Sequence, residues 1–249
     1  MCSSFGNFVM RISLCIFLAL VLAGCGSAFQ QVRPSAAPAQ SPASSSKGEQ
    51  DQQPAPDGVD RPTVKPYTGD LSIFEDPKRE QKLQVNRVMD LLSIKEGSNV
   101  ADIGAGSGWF TVRAARRVGA NGTVYAVEIN PEYLDYIEKR AKRENLPNIR
   151  VALGTEDDPR LPDKGVDAVL LLKTYHELAQ PVRLLKHTRK SMRPGALLGI
   201  IDRNGKGDDH GIDADVVIKE AERAGFAIVG QYDFVKSDNV DYFLVFRAK

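Results

Sequence analysis

Short apolar segments alternate with amphipathic segments from Asn99 to Arg247, and this alternation constrains the fold more than any other feature. The segment Val166–Leu172 is apolar except for one aspartate, which is typical of a strand covered on both faces. Alternating strands and helices predict a parallel sheet with helices on both sides. We predict strands at residues 99–103, 122–128, 148–153, 166–172, 196–202, 226–234 and 242–247, and helices at 77–92, 109–118, 131–144, 180–192 and 214–224.

Both ends of this pattern depart from simple alternation. No helix separates the last two predicted strands, so they form a hairpin and place one antiparallel strand in an otherwise parallel sheet. At the other end, Asp76 is a suitable N-cap for the first helix, and Pro77 is tolerated in its first turn.

A glycine-rich segment, Asp102-Ile-Gly-Ala-Gly-Ser-Gly-Trp109, follows the first strand of this alternation and opens a helix. Glycines allow the backbone to turn tightly and to approach a ligand closely. The amide groups at the start of the helix are free to face that ligand. Glu128 closes the next strand, where a carboxylate can accept hydrogen bonds from both ribose hydroxyls. The sequence therefore predicts a nucleoside site.

Three interpretations of the loop compete. A dinucleotide site requires Gly-x-Gly-x-x-Gly, but the third position here is Trp109, and the Asp102 carboxylate would repel a pyrophosphate. A sulfonium nucleoside carries a positive charge and would not be repelled. The third interpretation is a plain connection between strand and helix without a ligand.

The pattern Asp-x-Gly-x-Gly-x-Gly at Asp102–Gly108 resembles motif I of class I S-adenosylmethionine-dependent methyltransferases, and the resemblance extends from Leu71 to Phe246. It implies an α/β, Rossmann-like fold with a mostly parallel seven-stranded sheet and one antiparallel strand near the C-terminus. It also implies S-adenosyl-L-methionine as the cofactor.

The resemblance implies roles for individual residues. Asp102 would hold the amino end of the cofactor, and Glu128 would bind its ribose. Ile129 would pack on the adenine, and Glu156 would contact the adenine amine. Three glycines would shape the loop under the methionine part of the cofactor: Gly104, Gly106 and Gly108.

The reacting end of the site is predicted where the fourth and fifth strands end, because ligands of such sheets bind beyond the carboxyl ends of the strands. His176 or His210 would serve as the base that deprotonates the acceptor, and Tyr175 would line the pocket. Alternatively, His176 caps the following helix and Tyr175 packs in the core. Asp202 would then hold Arg203 or a loop amide.

Several acceptor classes are disfavoured. The residues after the fourth strand are Lys173-Thr-Tyr-His and not the Asn/Asp-Pro-Pro-Tyr/Phe of base and glutamine methylation. We predict no metal, because Asp202 is the one well-placed acid at the ends of these two strands. With 33 Lys and Arg against 32 Asp and Glu, we expect no nucleic-acid partner. A small-molecule acceptor remains, or else a protein or lipid near a membrane.

The N-terminus resembles a bacterial lipoprotein signal. Residues 12–22 form an apolar run that is too short for a membrane span of about 20 residues but long enough for export. It ends in Leu22-Ala-Gly-Cys25, which resembles a lipobox. We predict a signal peptide over residues 1–24, lipidation at Cys25, a disordered tether over 25–65 and a methyltransferase domain over 66–249.

Lipidation would anchor the protein in the cell envelope, on the outer membrane of a diderm because Gly26 is not aspartate. The cofactor is made in the cytoplasm, which leaves two alternatives open. One is a non-catalytic envelope lipoprotein whose methyltransferase-like domain binds a nucleoside or a partner. The other is an uncleaved N-terminal segment and a cytoplasmic enzyme.

Overall fold

A computed structural model describes residues 69–205, 210–235 and 241–249. The predicted signal peptide, the lipidation site Cys25 and the tether lie outside the described residues, as does the predicted start of the domain at residue 66. In the part that is described, no helix combines the length and the apolar character needed to cross a bilayer.

One seven-stranded sheet forms the centre of the described domain. Its strands in chain order are β1 (Asn99–Ile103), β2 (Thr123–Glu128), β3 (Ile149–Leu153), β4 (Val166–Leu172), β5 (Met192–Arg203), β6 (Phe226–Tyr232) and β7 (Asp241–Ala248). They lie in the order β3-β2-β1-β4-β5-β7-β6, and β7 is antiparallel to both of its neighbours. The predicted fold, with one antiparallel strand near the C-terminus, is confirmed.

Among the described residues, six α-helices accompany the sheet: α1 (Arg79–Leu83), α2 (Val85–Leu91), α3 (Trp109–Val118), α4 (Pro131–Arg143), α5 (Pro181–Ser191) and α6 (Ala214–Arg223). Two 3-10 turns, at Leu71–Phe74 and Tyr175–Glu177, add to them. Successive strand side chains point to opposite faces, so Leu170 packs with α2 and α3 while Leu171 packs with α5 and α6. Burial on both faces explains why β4 is apolar at every position except Asp167.

The predicted first helix, residues 77–92, is wrong in one respect. The structure has two short helices separated by Gln84, whose φ of 46° is left-handed. The Gln84 side chain donates to the carbonyl oxygen of Phe234, a tertiary contact that local sequence does not reveal. The predicted N-cap is wrong too, because Lys78 is the N-cap of α1, which begins only at Arg79, and Asp76 accepts from the amide of Lys78 one turn earlier.

The sheet order changes direction between β1 and β4, because β2 and β3 extend to one side and β5 to the other. Such a switch point leaves a crevice beyond the carboxyl ends of the two central strands. The candidate functional site lies in this crevice.

Candidate functional site

A cavity of about 440 Å³ opens at the carboxyl ends of β1 to β4. Its volume is within the range of about 300–1,000 Å³ that small-molecule sites occupy. Each of the four strands contributes a wall, through Asp102 to Ser107, Val127 to Asn130, Thr155 with Glu156, and Leu172 to Thr174. The crevice is therefore open and not filled by side chains.

The loop after β1 forms the floor of the cavity. The amides of Gly104 and Ala105 both donate to the carbonyl oxygen of Val127, which fixes the loop against β2. Gly104 has a φ of 72°, and a Cβ there would overlap the side chain of Thr174 at the end of β4. Only glycine fits both the backbone conformation and the space.

The other two glycines of the loop also have positive φ, 56° at Gly106 and 74° at Gly108. Gly106 lines the cavity, whereas Gly108 lies behind it and begins α3 against Ile137. All three glycines shape the turn, and two of them face the ligand space.

Asp102 places a buried carboxylate at the bottom of this cavity. Its side chain is almost fully buried, and Oδ2 accepts a hydrogen bond of 2.6 Å from the Thr111 hydroxyl. Burial raises the pKa of Asp102 to about 6, although the Thr111 hydrogen bond and the Arg79 charge act in the opposite direction. A cationic group entering the cavity would stabilise this carboxylate.

Glu128, at the end of β2, also faces the cavity. Its Oε1 accepts from the amide of Gly106 at 2.7 Å, and its Oε2 accepts from its neighbour Ile129 at 3.2 Å. Burial raises the pKa of Glu128 to about 7 despite these two donors, and the carboxylates of Asp102 and Glu177 raise it further. Further hydrogen-bond donors from a ligand would favour its ionised form.

Two predicted residues lie on the far wall. Ile129 is 45% exposed although it is apolar, and it lines the cavity. Glu156 also lines it, whereas its neighbour Asp157 accepts from the Thr155 hydroxyl and lies 3.8 Å from the Arg183 guanidinium. Of these two adjacent acids, the structure therefore places Glu156 at the cavity.

Sequence reasoning missed the wall that the N-terminal segment supplies. Ile73, Phe74 and Arg79 all line the cavity. Arg79 donates to the carbonyl oxygen of Phe74 at 2.9 Å, and its guanidinium lies 4.7 Å from the ring centroid of Trp109. Because these residues precede β1 and belong to no motif, only the tertiary fold brings them to the site.

A network of ion pairs holds this wall in place. Glu75 pairs with Arg140 of α4 through both carboxylate oxygens and accepts from the Ser107 hydroxyl at 2.7 Å. Arg140 also donates to the carbonyl oxygen of Ser107. The glycine loop, α4 and the N-terminal segment are thus joined at one point.

The structure brings some of the residues predicted for the reacting end close together. His176 is buried, and its imidazole Nδ1 lies 3.0 Å from both oxygens of Asp202. The rings of His176 and His210 are close, with centroids 5.9 Å apart. Glu177 lines the cavity together with Lys173 and Thr174. The two histidines lie beside Glu177 but are not themselves among the described residues that line the cavity.

Asp202 acts as the sequence suggested in its alternative role. Its oxygens accept from the amides of Arg203 and His176 as well as from the His176 ring. Burial opposes protonation of His176, but the Asp202 carboxylate outweighs it and raises the pKa of the imidazole. His176 does not cap α5, whose N-cap residue is Gln180.

The predicted pocket-lining role of Tyr175 is wrong. Tyr175 is fully buried in the core, and its hydroxyl donates to Glu220 at 2.9 Å. It is absent from the described residues that line the cavity. The 3-10 turn at Tyr175–Glu177 rotates successive side chains, so Tyr175 points into the core and Glu177 toward the cavity.

Comparison with known proteins supports the methyltransferase fold that the sequence motif predicts. The model of the methyltransferase domain family matches residues 100–195, from β1 to the start of β5. The crystal structure of an S-adenosylmethionine-dependent methyltransferase from Aquifex aeolicus superposes with a TM-score of 0.65 at 25% identity, covering 71% of this chain and 95% of that one. Residues 100–195 therefore match a methyltransferase domain, and the described residues have the fold of S-adenosylmethionine-dependent methyltransferases.

Curated relatives match over shorter stretches. An uncharacterized methyltransferase of Mycobacterium bovis is 35% identical over 113 residues, which are 45% of this chain and 43% of that protein. Protein-L-isoaspartate O-methyltransferase of Pyrococcus horikoshii is 28% identical over 95 residues, 38% of this chain and 42% of that protein. The chain spans less than half the length of these relatives.

The family match and the fold imply S-adenosyl-L-methionine as the cofactor. The cavity fits it, because a cationic amino acid and a ribose would meet two carboxylates, Asp102 and Glu128, whose burial disfavours ionisation without such partners. The exposed Ile129 offers an apolar surface for a base.

Proposed function

We propose that the protein is an S-adenosylmethionine-dependent methyltransferase that acts on a small-molecule acceptor. One observation carries this proposal: Asp102 and Glu128 both face an open cavity at the tips of neighbouring strands, above a glycine loop that leaves room for a ligand. The methyltransferase fold and family match support it.

Each wall of the cavity would serve one part of the cofactor. Asp102 would pair with the amino group, and Glu128 would accept hydrogen bonds from both ribose hydroxyls. Ile129 would pack against the adenine ring, and Glu156 would accept from its amino group. Arg79, beside Asp102, would attract the carboxylate. When bound, the cofactor supplies an electrophilic methyl group on a sulfonium.

The acceptor would bind at the end of the cavity formed by Lys173, Thr174 and Glu177. This end is bounded by charged and hydroxyl groups, which suit a polar molecule. His176 and His210 lie beside it and could take up an acceptor proton, with Asp202 fixing the His176 ring. The chain itself supplies alignment and exclusion of water.

The alternative is a non-catalytic lipoprotein that reuses the fold. It is less favoured, because a protein that binds no ligand has no reason to keep a cavity of about 440 Å³ open. The two buried carboxylates at this cavity also lower the stability of the fold unless a ligand pairs with them.

A labelled methyl group tests the activity. The purified full chain in mild detergent would be incubated with methyl-tritiated cofactor and, separately, with soluble small molecules, lipids or envelope proteins from bacterial extracts. We expect label in the small-molecule fraction and its loss in Asp102→Asn and Glu128→Gln. Glu132→Gln, an exposed acid at the start of α4, is the control that should retain activity. Label confined to protein or lipid would refute a small-molecule acceptor.

We also propose that the protein is tethered to the cell envelope through a lipid on Cys25, on the strength of the Leu-Ala-Gly-Cys pattern after an apolar run. Mass spectrometry of the mature N-terminus tests this. A peptide beginning at a diacylated Cys25 supports the anchor, and an unmodified peptide that spans Cys25 excludes it.

A further inference from the structure

Three potential metal ligands meet beside the acceptor end of the cavity, and one of them, Glu177, lines it. His176 and Glu177 lie on the 3-10 turn after β4, and His210 lies on the connection after β5. One ligand atom from each residue lies within 4.8 Å of the other two. The Nε2 atom of His176 is 3.8 Å from Oε1 of Glu177. Two strand ends, distant in sequence, thus bring two imidazoles and one carboxylate together.

The orientation of His176 is the second observation. Since a carboxylate only accepts, the Nδ1 atom of His176 must donate its proton to Asp202, 3.0 Å away. The lone pair of the neutral imidazole is then on Nε2, which faces Glu177 and not the core. Metal-binding histidines typically have their second nitrogen fixed in this way by a carboxylate.

Hydrogen bonds hold the Asp202 side chain in this position. It is fully buried, and its oxygens also accept from the amides of His176 and Arg203. It therefore orients a ligand without being one. The prediction of no metal rested on Asp202 as the one well-placed acid, whereas the structure offers the three residues around it as ligands.

The donor types select the metal. Magnesium and calcium prefer oxygen ligands, whereas imidazole suits zinc and related transition metals. Two histidines and one glutamate with an open position are the ligand set of many catalytic zinc sites. Tetrahedral ligands on bonds of about 2 Å are roughly 3.3 Å apart, so the cluster must contract by about 1.5 Å at most. His210 and Glu177 are exposed enough to allow this movement.

We propose that His176, Glu177 and His210 bind a zinc ion whose open position faces the cavity and holds an oxygen or sulfur atom of the acceptor. Glu177 lines the cavity, so a metal on it is accessible from the ligand space. The proposal of a zinc site depends only on the geometry of the three ligands. The proposal that the zinc ion binds the acceptor also rests on the proposed function.

Zinc titration of the full chain, purified without a polyhistidine tag and stripped with chelator, tests the site. We expect one tight site by calorimetry and the visible absorption of a low-coordinate complex when cobalt replaces zinc. His210→Ala and Glu177→Gln should each weaken zinc binding at least about tenfold, and Asp202→Asn by about 10–100-fold. His187→Ala is the matched control, because His187, the third of three histidines, donates to the carbonyl oxygen of Asp157 instead.

Cofactor binding measured on the same samples separates this inference from the proposed function. Tight zinc binding that depends on His210 and Glu177 supports the site whether or not the cofactor binds. Zinc binding that survives in both variants, as it would on the cysteines of the N-terminus, overturns the site. Absence of zinc binding by a chain that binds S-adenosylmethionine also overturns it and leaves the two histidines as an edge-to-face pair.

Discussion

In the absence of a ligand, ionised Glu128 should lower the free energy of unfolding, so the Glu128→Gln variant should be more stable than the parent. The carboxyl has a pKa of about 7 in the fold, against 4.5 for an ordinary glutamate, because burial disfavours its charge. At about 1.4 kcal/mol for each pH unit of difference, ionised Glu128 costs roughly 3 kcal/mol at pH 8. Only 9% of the residue is exposed, so solvent screens little of this cost.

Glutamine removes the charge but loses part of the hydrogen bonding. Its single amide oxygen cannot serve the amides of Gly106 and Ile129 as well as two carboxylate oxygens do, which costs about 1 kcal/mol. The net gain in the free energy of unfolding is therefore about 2 kcal/mol at pH 8.

The gain must depend on pH in a defined direction. A raised pKa means that the folded state holds the proton more tightly, so Glu128 lowers stability as the pH rises from 4.5 to about 7. At pH 5 the folded carboxyl is neutral and most of the cost is absent. The advantage of the Glu128→Gln variant should therefore shrink from about 2 kcal/mol at pH 8 to near zero at pH 5.

Urea unfolding followed by tryptophan fluorescence measures this directly. Trp109 is the single tryptophan and is buried beside the cavity, so its emission reports on this domain. Glu132→Gln, an exposed acid in the first turn of α4, should lose only a few tenths of a kcal/mol at either pH, about the worth of a charge near a helix end. If Glu128→Gln is less stable than the parent at pH 8, the reasoning about its buried charge is refuted.

Three further predictions concern the same site. Gly104→Ala should destabilise the fold and weaken S-adenosylmethionine binding by more than about tenfold, since the added methyl group overlaps Thr174. The control is Gly97→Ala, which has a φ of 79° and open space around the added methyl group. It should show only the backbone strain of about 1–2 kcal/mol and unchanged binding by calorimetry. Cofactor affinity should fall about tenfold from pH 8 to pH 6 as Glu128 takes up a proton, and this dependence should be largely lost in Glu128→Gln; a steep dependence in that variant would assign the titration elsewhere. Tyr175→Phe should cost about 1 kcal/mol in urea unfolding and leave cofactor affinity unchanged, whereas lost binding would return Tyr175 to the pocket.

The glycine loop and the two carboxylates at the cavity could be predicted, because their positions depend on residues that are close together in the sequence. Backbone geometry places the loop from Asp102 to Gly108 directly after β1 and places Glu128 at the end of the neighbouring strand. The glycines and the acids therefore mark these positions in the sequence. The limits of β4 could be predicted as well, since a strand buried on both faces has an almost entirely apolar sequence.

The rest of the fold and of the site could not be predicted to the same degree. The left-handed turn at Gln84 and the cavity wall at Arg79 depend on contacts with residues far along the chain. Tyr175 and Glu177 are two residues apart on a 3-10 turn, and sequence does not say which of them faces the cavity. The role of Asp202 likewise emerges only when β5 lies beside the end of β4.

Calorimetric titration of the full chain with S-adenosyl-L-methionine tests the central claim most directly. The cavity predicts saturable micromolar binding that Asp102→Asn and Glu128→Gln each weaken at least about tenfold, because each removes a charged hydrogen-bond partner worth about 1.5–3 kcal/mol. A folded chain that releases no heat, or that binds equally well without either carboxylate, would contradict the assignment of this crevice as the cofactor site.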